Sequence, residues 1–250
     1  MRRKHQDKGH IVHSFDEDLN TLASVIIEMG GIAETQLSDA IKSVGTLDYA
    51  LAEKVVGRDQ RLDKLEIEVD AAAIKILAQR QPMAEDLRQV VTALKIAHMV
   101  ERIGDYSKNI AKRATILSTL PPLESQQNIP RMGQIAQKLL KDVLDAYIER
   151  NADQAIDVWQ RDRELDEVCE SVFREIQHGM AQDSKYIASG THVLFMAQSI
   201  ERIGDYTTNI AEMVYFLVNG EPLIELRPKG DWTTMASTES NSVSTSDSDT

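Results

Sequence analysis

Glu101-Arg102-Ile103-Gly104-Asp105-Tyr106 recurs letter for letter as Glu201-Arg202-Ile203-Gly204-Asp205-Tyr206, and each copy continues two residues later with Asn-Ile-Ala, at Asn109 to Ala111 and Asn209 to Ala211. Self-similarity of this kind marks a duplicated structural unit. Upstream, Arg58-Asp59-x-x-Leu62-Asp63 matches Arg161-Asp162-x-x-Leu165-Asp166 more weakly, which extends the repeat to the preceding segment. The chain therefore reads as two copies of one unit.

Outward from the motif, hydrophobic spacing defines that unit. Leu19, Leu22, Val25, Ile26, Met29, Ala33, Leu37, Ala40, Ile41 and Val44 follow one another at helical steps, predicting a helix from Phe15 to about Val44. A second runs from about Asp48 to Gln79, Gln81-Pro82 breaks the pattern, and a third spans Ala84 to Thr119 with Glu85 and Asp86 in its first turn, where the helix dipole favours acids. Pro121-Pro122 closes the unit, and the polar run Glu124 to Asn128 before Pro130 reads as a linker. The pattern then restarts: Ile135 to Glu149, Ala152 to about Met180, a break at Asp183-Ser184 with a capping side chain, and Lys185 to Asn219. The expected fold is all-α, two tandem three-helix bundles of six long helices. Its expected parts are a flexible arm at 1–12, a first repeat at 13–120, a linker at 121–130, a second repeat at 131–220, and a disordered Ser/Thr-rich acidic tail at 221–250.

Composition narrows the function. The 250 residues carry 28 basic and 40 acidic side chains, a net charge of −12 and a pI near 5.0, which speaks against a nucleic-acid binder and against a strong phosphate site. Apolar residues make up 42%, and 12 Gly with 6 Pro are too few for a turn-dense β fold. Cys169 stands alone, so a disulfide framework or thiolate metal cage is excluded. No stretch of about 18 apolar residues occurs, and the basic start of the chain is followed by no apolar run, so a cytoplasmic location is expected.

Each repeat carries two acidic pairs spaced i, i+4: Asp59 with Asp63 and Glu101 with Asp105, then Asp162 with Asp166 and Glu201 with Asp205. That spacing puts both carboxylates on one helix face. Asp59 and Asp105 are each 23 residues from Pro82, and Asp63 and Glu101 each 19, so an antiparallel hairpin brings all four to one level. In the second repeat the same folding centres on the break at Asp183-Ser184. On a helical wheel Glu101 and Asp105 align with Leu87, Val91, Leu94 and Ile116, and Asp59 and Asp63 with Val55, Ala73, Leu77, Glu66 and Asp70. Four carboxylates at one level would cost several kcal/mol each if left uncompensated. Converging Asp and Glu oxygens suit magnesium, calcium, manganese or iron. The competing reading is a lattice in which Arg58, Arg102, Arg161 and Arg202 fold over the acids.

Around the quartets, His98 is a possible additional ligand three residues before Glu101, opposite Gln198 in the second copy, and Glu66 shares the acidic line. Gly104 and Gly204 inside a helix point to close crossings, Asn109 and Asn209 to hydrogen bonds around the carboxylates, Tyr106 and Tyr206 to packing, and Cys169 to burial.

Tandem three-helix units with Glu-Arg-Ile-Gly-Asp-Tyr-x-x-Asn-Ile-Ala and an upstream Asp-x-x-x-Asp resemble the PhoU family of accessory proteins of bacterial phosphate-specific transport, over about residues 11 to 225. The resemblance implies two three-helix bundles, metal ions such as iron or zinc on the E/D-x-x-x-D motifs, and dimerisation. It further implies repression of the phosphate-starvation response by linking the ATPase subunit of the phosphate ABC transporter to a sensor histidine kinase, with the membrane reached only through those partners. By carry-over the metal ligands are Asp59, Asp63, Glu101, Asp105, Asp162, Asp166, Glu201 and Asp205, with Arg102, Arg202, Asn109 and Asn209 around them. Glu66, Asp70 and His98 face Cys169, Phe173 and Gln198 in the second copy, so the two sites are not expected to be equivalent. No P-loop, Gly-rich phosphate cradle or activated nucleophile is present, which favours a non-enzymatic regulator. The alternative is a di-metal carboxylate oxidase or ferroxidase, which ordinarily uses Glu-x-x-His on two helices. Here the order is reversed once, His98 before Glu101, and the second copy has no such histidine.

Overall fold

A computed structural model describes the backbone of residues 6–224 and the side chains of 15–224. Six long helices follow in chain order: α1 (Gln6–Thr46), α2 (Tyr49–Arg80), α3 (Ala84–Leu117), α4 (Ile129–Glu149), α5 (Ala152–Gln182) and α6 (Ile187–Asn219). No strand occurs among the described residues.

The helix ends follow local chemistry. The Asp48 carboxylate accepts from the Leu51 N–H at 3.0 Å, and the Asn151 side chain accepts from Gln154 N–H at 3.1 Å, each satisfying a donor that the first turn leaves without a partner. Gln81 ends α2 in the left-handed region at φ 48°, directly before Pro82, and Gly220 ends α6 at φ 77°.

Two boundaries differ from the sequence reading. Residues 6–12, expected in the arm, are helical in α1, while residues 1–5 and the tail from 225 onward lie outside the described residues. The segment Glu124–Asn128, read as a linker, is a 3-10 turn that runs straight into α4, with Pro130 in the first turn. Burial explains this: Leu123, Ser125 and Ile129 are all packed, so a polar run is held at both ends by apolar anchors. Helix α4 begins at Ile129 rather than Ile135 because Ile129, Met132 and Gly133 already face the core.

α1, α2 and α3 pack as one bundle and α4, α5 and α6 as another, and the two join where α1 meets α4 and α3 meets α6. One apolar core runs through all six helices. The joining seam is built from reciprocal contacts. Gly30 on α1 lies against Leu144 on α4, and Gly133 on α4 against Ile41 on α1; since Gly30 corresponds to Gly133 and Ile41 to Leu144, one contact is made twice. Tyr106 and Tyr206, equivalent residues of the repeated motif, pack on each other with ring centroids 6.0 Å apart. An ion pair is duplicated as well: Arg58 binds Asp39 on α1, and Arg161 binds Asp142 on α4 at 2.6 Å.

The two seam glycines differ in tightness. A Cβ on Gly133 would lie 2.7 Å from Ile41 Cγ2, close to the branch point of a stiff side chain, whereas one on Gly30 would meet only the Leu144 methyl groups, at 3.0 and 3.2 Å. Alanine gains about 1 kcal/mol in helix propensity, against roughly 1–3 kcal/mol for overpacking. Gly30→Ala should leave urea stability within about 0.5 kcal/mol of the parent and Gly133→Ala should lower it by about 1–2 kcal/mol; equal stability of the two variants would contradict the seam as described.

Candidate metal centres

The repeated glycine sets where the acids meet. A Cβ on Gly104 would strike Leu62, and one on Gly204 would come within 2.6 Å of Leu165 Cδ2 and 2.7 Å of Asp162 Oδ1. Only glycine lets α2 lie this close on α3, and α5 on α6. The expected close crossing is present in both repeats. It buries Asp59 and Asp162, 6% and 3% exposed, beneath the acids of the partner helix.

The other carboxylates sit at the margin of the core. Glu101, Asp105, Asp166, Glu201 and Asp205 are half-buried and Asp63 is exposed. Their wheel neighbours behave likewise: Val91 and Leu94 are half-buried, while Leu87 and Ile116 are exposed. The apolar stripe in which the sequence placed the acids is thus the edge of the core-facing side, whose centre is Val90, Ile96, Val100, Ile103 and Ile110.

In the first repeat the acids converge on a cation supplied by the chain itself. Lys108 Nζ donates to Asp59 Oδ2 and, at 2.8 Å, to Asp105 Oδ1. Gln36, fully buried on α1, donates to Asp59 Oδ1 at 3.4 Å and to the Gly104 carbonyl at 3.1 Å. Arg102 reaches Asp105 at 3.3 Å and Glu101 at 3.7 Å. Burial alone would raise the Asp105 carboxyl, but the hydrogen bond and charge of Lys108 outweigh it and hold the group below its ordinary range. For Lys108, burial opposes the charge, yet Asp105 and Asp59 hold its ammonium above the usual lysine value. Asp63 is raised, first by desolvation and then by repulsion from Asp59. Glu101 is pushed up to about 7 by desolvation, then by Asp105 and Glu66.

On the outer side of this quartet, Glu66 Oε1 lies 2.9 Å from His98 Nδ1, and the ligand atoms of Glu66, His98 and Glu101 all fall within 4.8 Å of one another. Glu66 and His98, which the sequence offers as possible additional ligands, thus lie beside Glu101. Asn109, by contrast, is exposed, and the groups that bind the first quartet are Lys108, Arg102 and Gln36.

The second quartet lies in the neighbourhood of Cys169. Its thiol is buried and pushed well above the ordinary range, first by desolvation and then by the charges of Glu201, Asp166, Asp162 and Asp205. Thr208 stands where the first copy has Lys108, and its hydroxyl donates to the Asp205 carbonyl at 2.8 Å. Leu139 takes the place of Gln36, and Arg202 binds Asp205 at 3.2 Å. Asn209 is half-buried. Of the four arginines expected to cover the acids, Arg102 and Arg202 do so, while Arg58 and Arg161 bind Asp39 and Asp142 instead.

The residues missed in the sequence are Lys108 and Gln36. Lys108 left a signal, because Ser107-Lys108 against Thr207-Thr208 is the one interruption of an otherwise repeated motif, three residues after Asp105. Gln36 left none beyond being polar beside Leu37 and having Leu139 as its counterpart.

The donor sets fit hard cations unequally. In the second repeat, the space left by Gly204 is bordered by one buried carboxylate oxygen, Asp162 Oδ1, and by Leu165. In the first, the inner oxygens are engaged by the lysine, and the outer set adds one imidazole nitrogen to two carboxylates, a combination that also suits zinc.

Comparison with known proteins gives a consistent picture. The family described as PhoU domain matches residues 26–114 and again 129–214. A protein of Caulobacter vibrioides named phosphate-specific transport system accessory protein PhoU homolog is 47% identical over 223 residues, covering 89% of this chain and 97% of its own. A protein of the same name from Zymomonas mobilis is 40% identical, covering 89% and 94%. The crystal structure of PhoU from Pseudomonas aeruginosa is 33% identical, with a TM-score of 0.80 over 83% of this chain and 100% of that one.

The raised carboxyl of Glu101 has a pH signature. Below its ordinary value of 4.5 the group is protonated whether the chain is folded or not; between 4.5 and about 7 the unfolded chain ionises while the folded one keeps its proton, so stability falls as pH rises and stays reduced above 7. In chelator, Glu101→Gln should therefore be more stable than the parent at pH 8, on the order of 1 kcal/mol after discounting for solvent screening, with the gap closing towards pH 4.5. Thermal melts at the two pH values check this, and a gap that does not depend on pH would refute it.

Proposed function

This chain belongs to the PhoU family, and from that premise we propose that it serves a phosphate-specific transport system as an accessory protein and holds the phosphate-starvation response down. In this reading it stands between the ATPase subunit of a phosphate ABC transporter and a sensor histidine kinase, in the cytoplasm and as a homodimer. The observation that carries it is the extent of the likeness: both repeats are matched, and relatives named as accessory proteins align over nearly their whole length. Among the described residues no helix is long and apolar enough to cross a membrane, in keeping with a chain that meets the transporter by docking. The relatives' names are those of accessory or regulatory proteins rather than enzymes. Deleting the gene should switch on a phosphate-starvation reporter in phosphate-rich medium, and restoring it should switch the reporter off. A reporter that stays silent in the deletion strain would overturn the regulatory role.

Metal binding on the duplicated acids belongs to the same proposal. Asp162, Asp166, Glu201 and Asp205 would hold an ion of the magnesium, manganese or iron type through oxygen alone. In the first repeat Glu66, His98 and Glu101 offer the outer donors, beside Asp59, Asp63 and Asp105. The ion would supply charge compensation: it relieves carboxylate repulsion and stabilises the loaded form by mass action. Support comes from the i, i+4 spacing of the acids on the two facing helices and from the burial of Asp162 where α5 crosses α6 at Gly204. Protein purified without chelator should contain metal by elemental analysis, and an Asp162→Ala/Glu201→Ala variant should contain less. Equal content in the two would remove the second quartet from the reading.

A further inference from the structure

We propose that Lys108 is the resident cation of the first quartet, a tethered ammonium that takes the inner position an ion would occupy, so that the two sites of this chain differ in kind. The inference refines the metal-binding reading above and rests on it where it concerns metal. The lysine's own role is tested separately.

Geometry carries the argument. An ion bound between α2 and α3 at the buried level must use oxygens of Asp59 and Asp105, because these are the carboxylates that meet there. Lys108 Nζ bridges those two carboxylates. A metal ion and an ammonium compete for the same lone pairs, and two cations within contact distance repel, so the inner position holds one or the other. The lysine has the advantage of attachment. It lies one helical turn from Asp105 and needs no free ion to be present. Its cost, desolvation of the ammonium, is offset by two carboxylates at once.

The buried carboxylate is organised for that bridge. The fully buried Gln36 side chain donates to Asp59 Oδ1 while also holding the Gly104 carbonyl, which leaves Oδ2 facing the lysine. The second repeat changes both supporting residues together. Thr208 replaces the ammonium with a hydroxyl committed to a backbone carbonyl, and Leu139 replaces the amide with an alkyl group. Both sites share the glycine that brings the carboxylates together and the arginine at the rim, and they differ at the residues that meet the buried carboxylate of the first. The buried carboxylate of the first site thereby has a counter-ion in its own sequence, while the second site lacks a lysine at this position.

Two measurements on the full chain test the proposal. The first is made in EDTA, where metal plays no part. Lys108→Met should lower Tm by roughly 5 °C by leaving two carboxylates face to face, and adding Asp59→Asn should recover at least half of that loss by removing one of them. If Lys108→Met melts with the parent, or if the double variant melts no higher than Lys108→Met, the lysine is not the counter-ion and the proposal falls. The second is equilibrium dialysis against manganese(II) with elemental analysis of parent and Lys108→Thr, which copies the residue of the second repeat. The variant should hold an ion that the parent lacks, and that gain should vanish when Asp59→Asn is added. Equal manganese in parent and Lys108→Thr, with the parent loaded, would overturn the competition between lysine and ion. If neither protein binds manganese, the metal reading of the preceding subsection fails, and the EDTA melts still decide whether Lys108 is the counter-ion.

Discussion

Close approach of paired helices at Gly104 and Gly204 is the constraint on which the molecule depends. It places Leu62 and Leu165 against backbone rather than against side chains, and it drags Asp59 and Asp162 into the core edge with them. A buried carboxylate has to be compensated, so the same contact that completes the packing also creates the demand for a cation. Fold and site are therefore one problem. A larger residue at either glycine would part the helices and dissolve the acid cluster together.

How the demand is met differs between the repeats, and the difference is chemical rather than topological. In the first, an ammonium, a guanidinium and an amide converge from α3 and α1. In the second, an arginine at the rim, a neutral threonine and a buried thiol surround the carboxylates. Among these surroundings the thiol is inert, since burial and four negative neighbours disfavour its thiolate. The framework is duplicated more faithfully than the contents, as the paired Asp39 to Arg58 and Asp142 to Arg161 bridges show.

Much of this was legible in the sequence because it depends on spacing. Helical periodicity and two proline or capped breaks predict six helices with ends mostly within two or three residues of those observed, and the symmetric distances from Pro82 put Asp59 beside Asp105. Reading failed where spacing is silent. The Glu124–Asn128 turn looks like a linker by composition, and only the burial of Leu123 and Ile129 at its ends makes it structure. The role of Gln36 comes from a contact 68 residues away with the Gly104 carbonyl, which no local pattern encodes. By pattern alone, a lysine after an acidic motif reads as a solvated charge, whereas here Asp59 on α2 holds its ammonium at the core edge.

The seam has an implication for origin. A contact that appears once as Gly30 against Leu144 and again as Gly133 against Ile41, with Tyr106 and Tyr206 facing each other, is the arrangement two identical subunits adopt about a two-fold axis. In such an ancestor one gene position specifies both pockets, and a lysine gained by one is gained by the other. Joining the halves end to end abolished that bookkeeping identity. From then on positions 108 and 208 could drift apart, and so could the two seam glycines, of which Gly133 is the more tightly held.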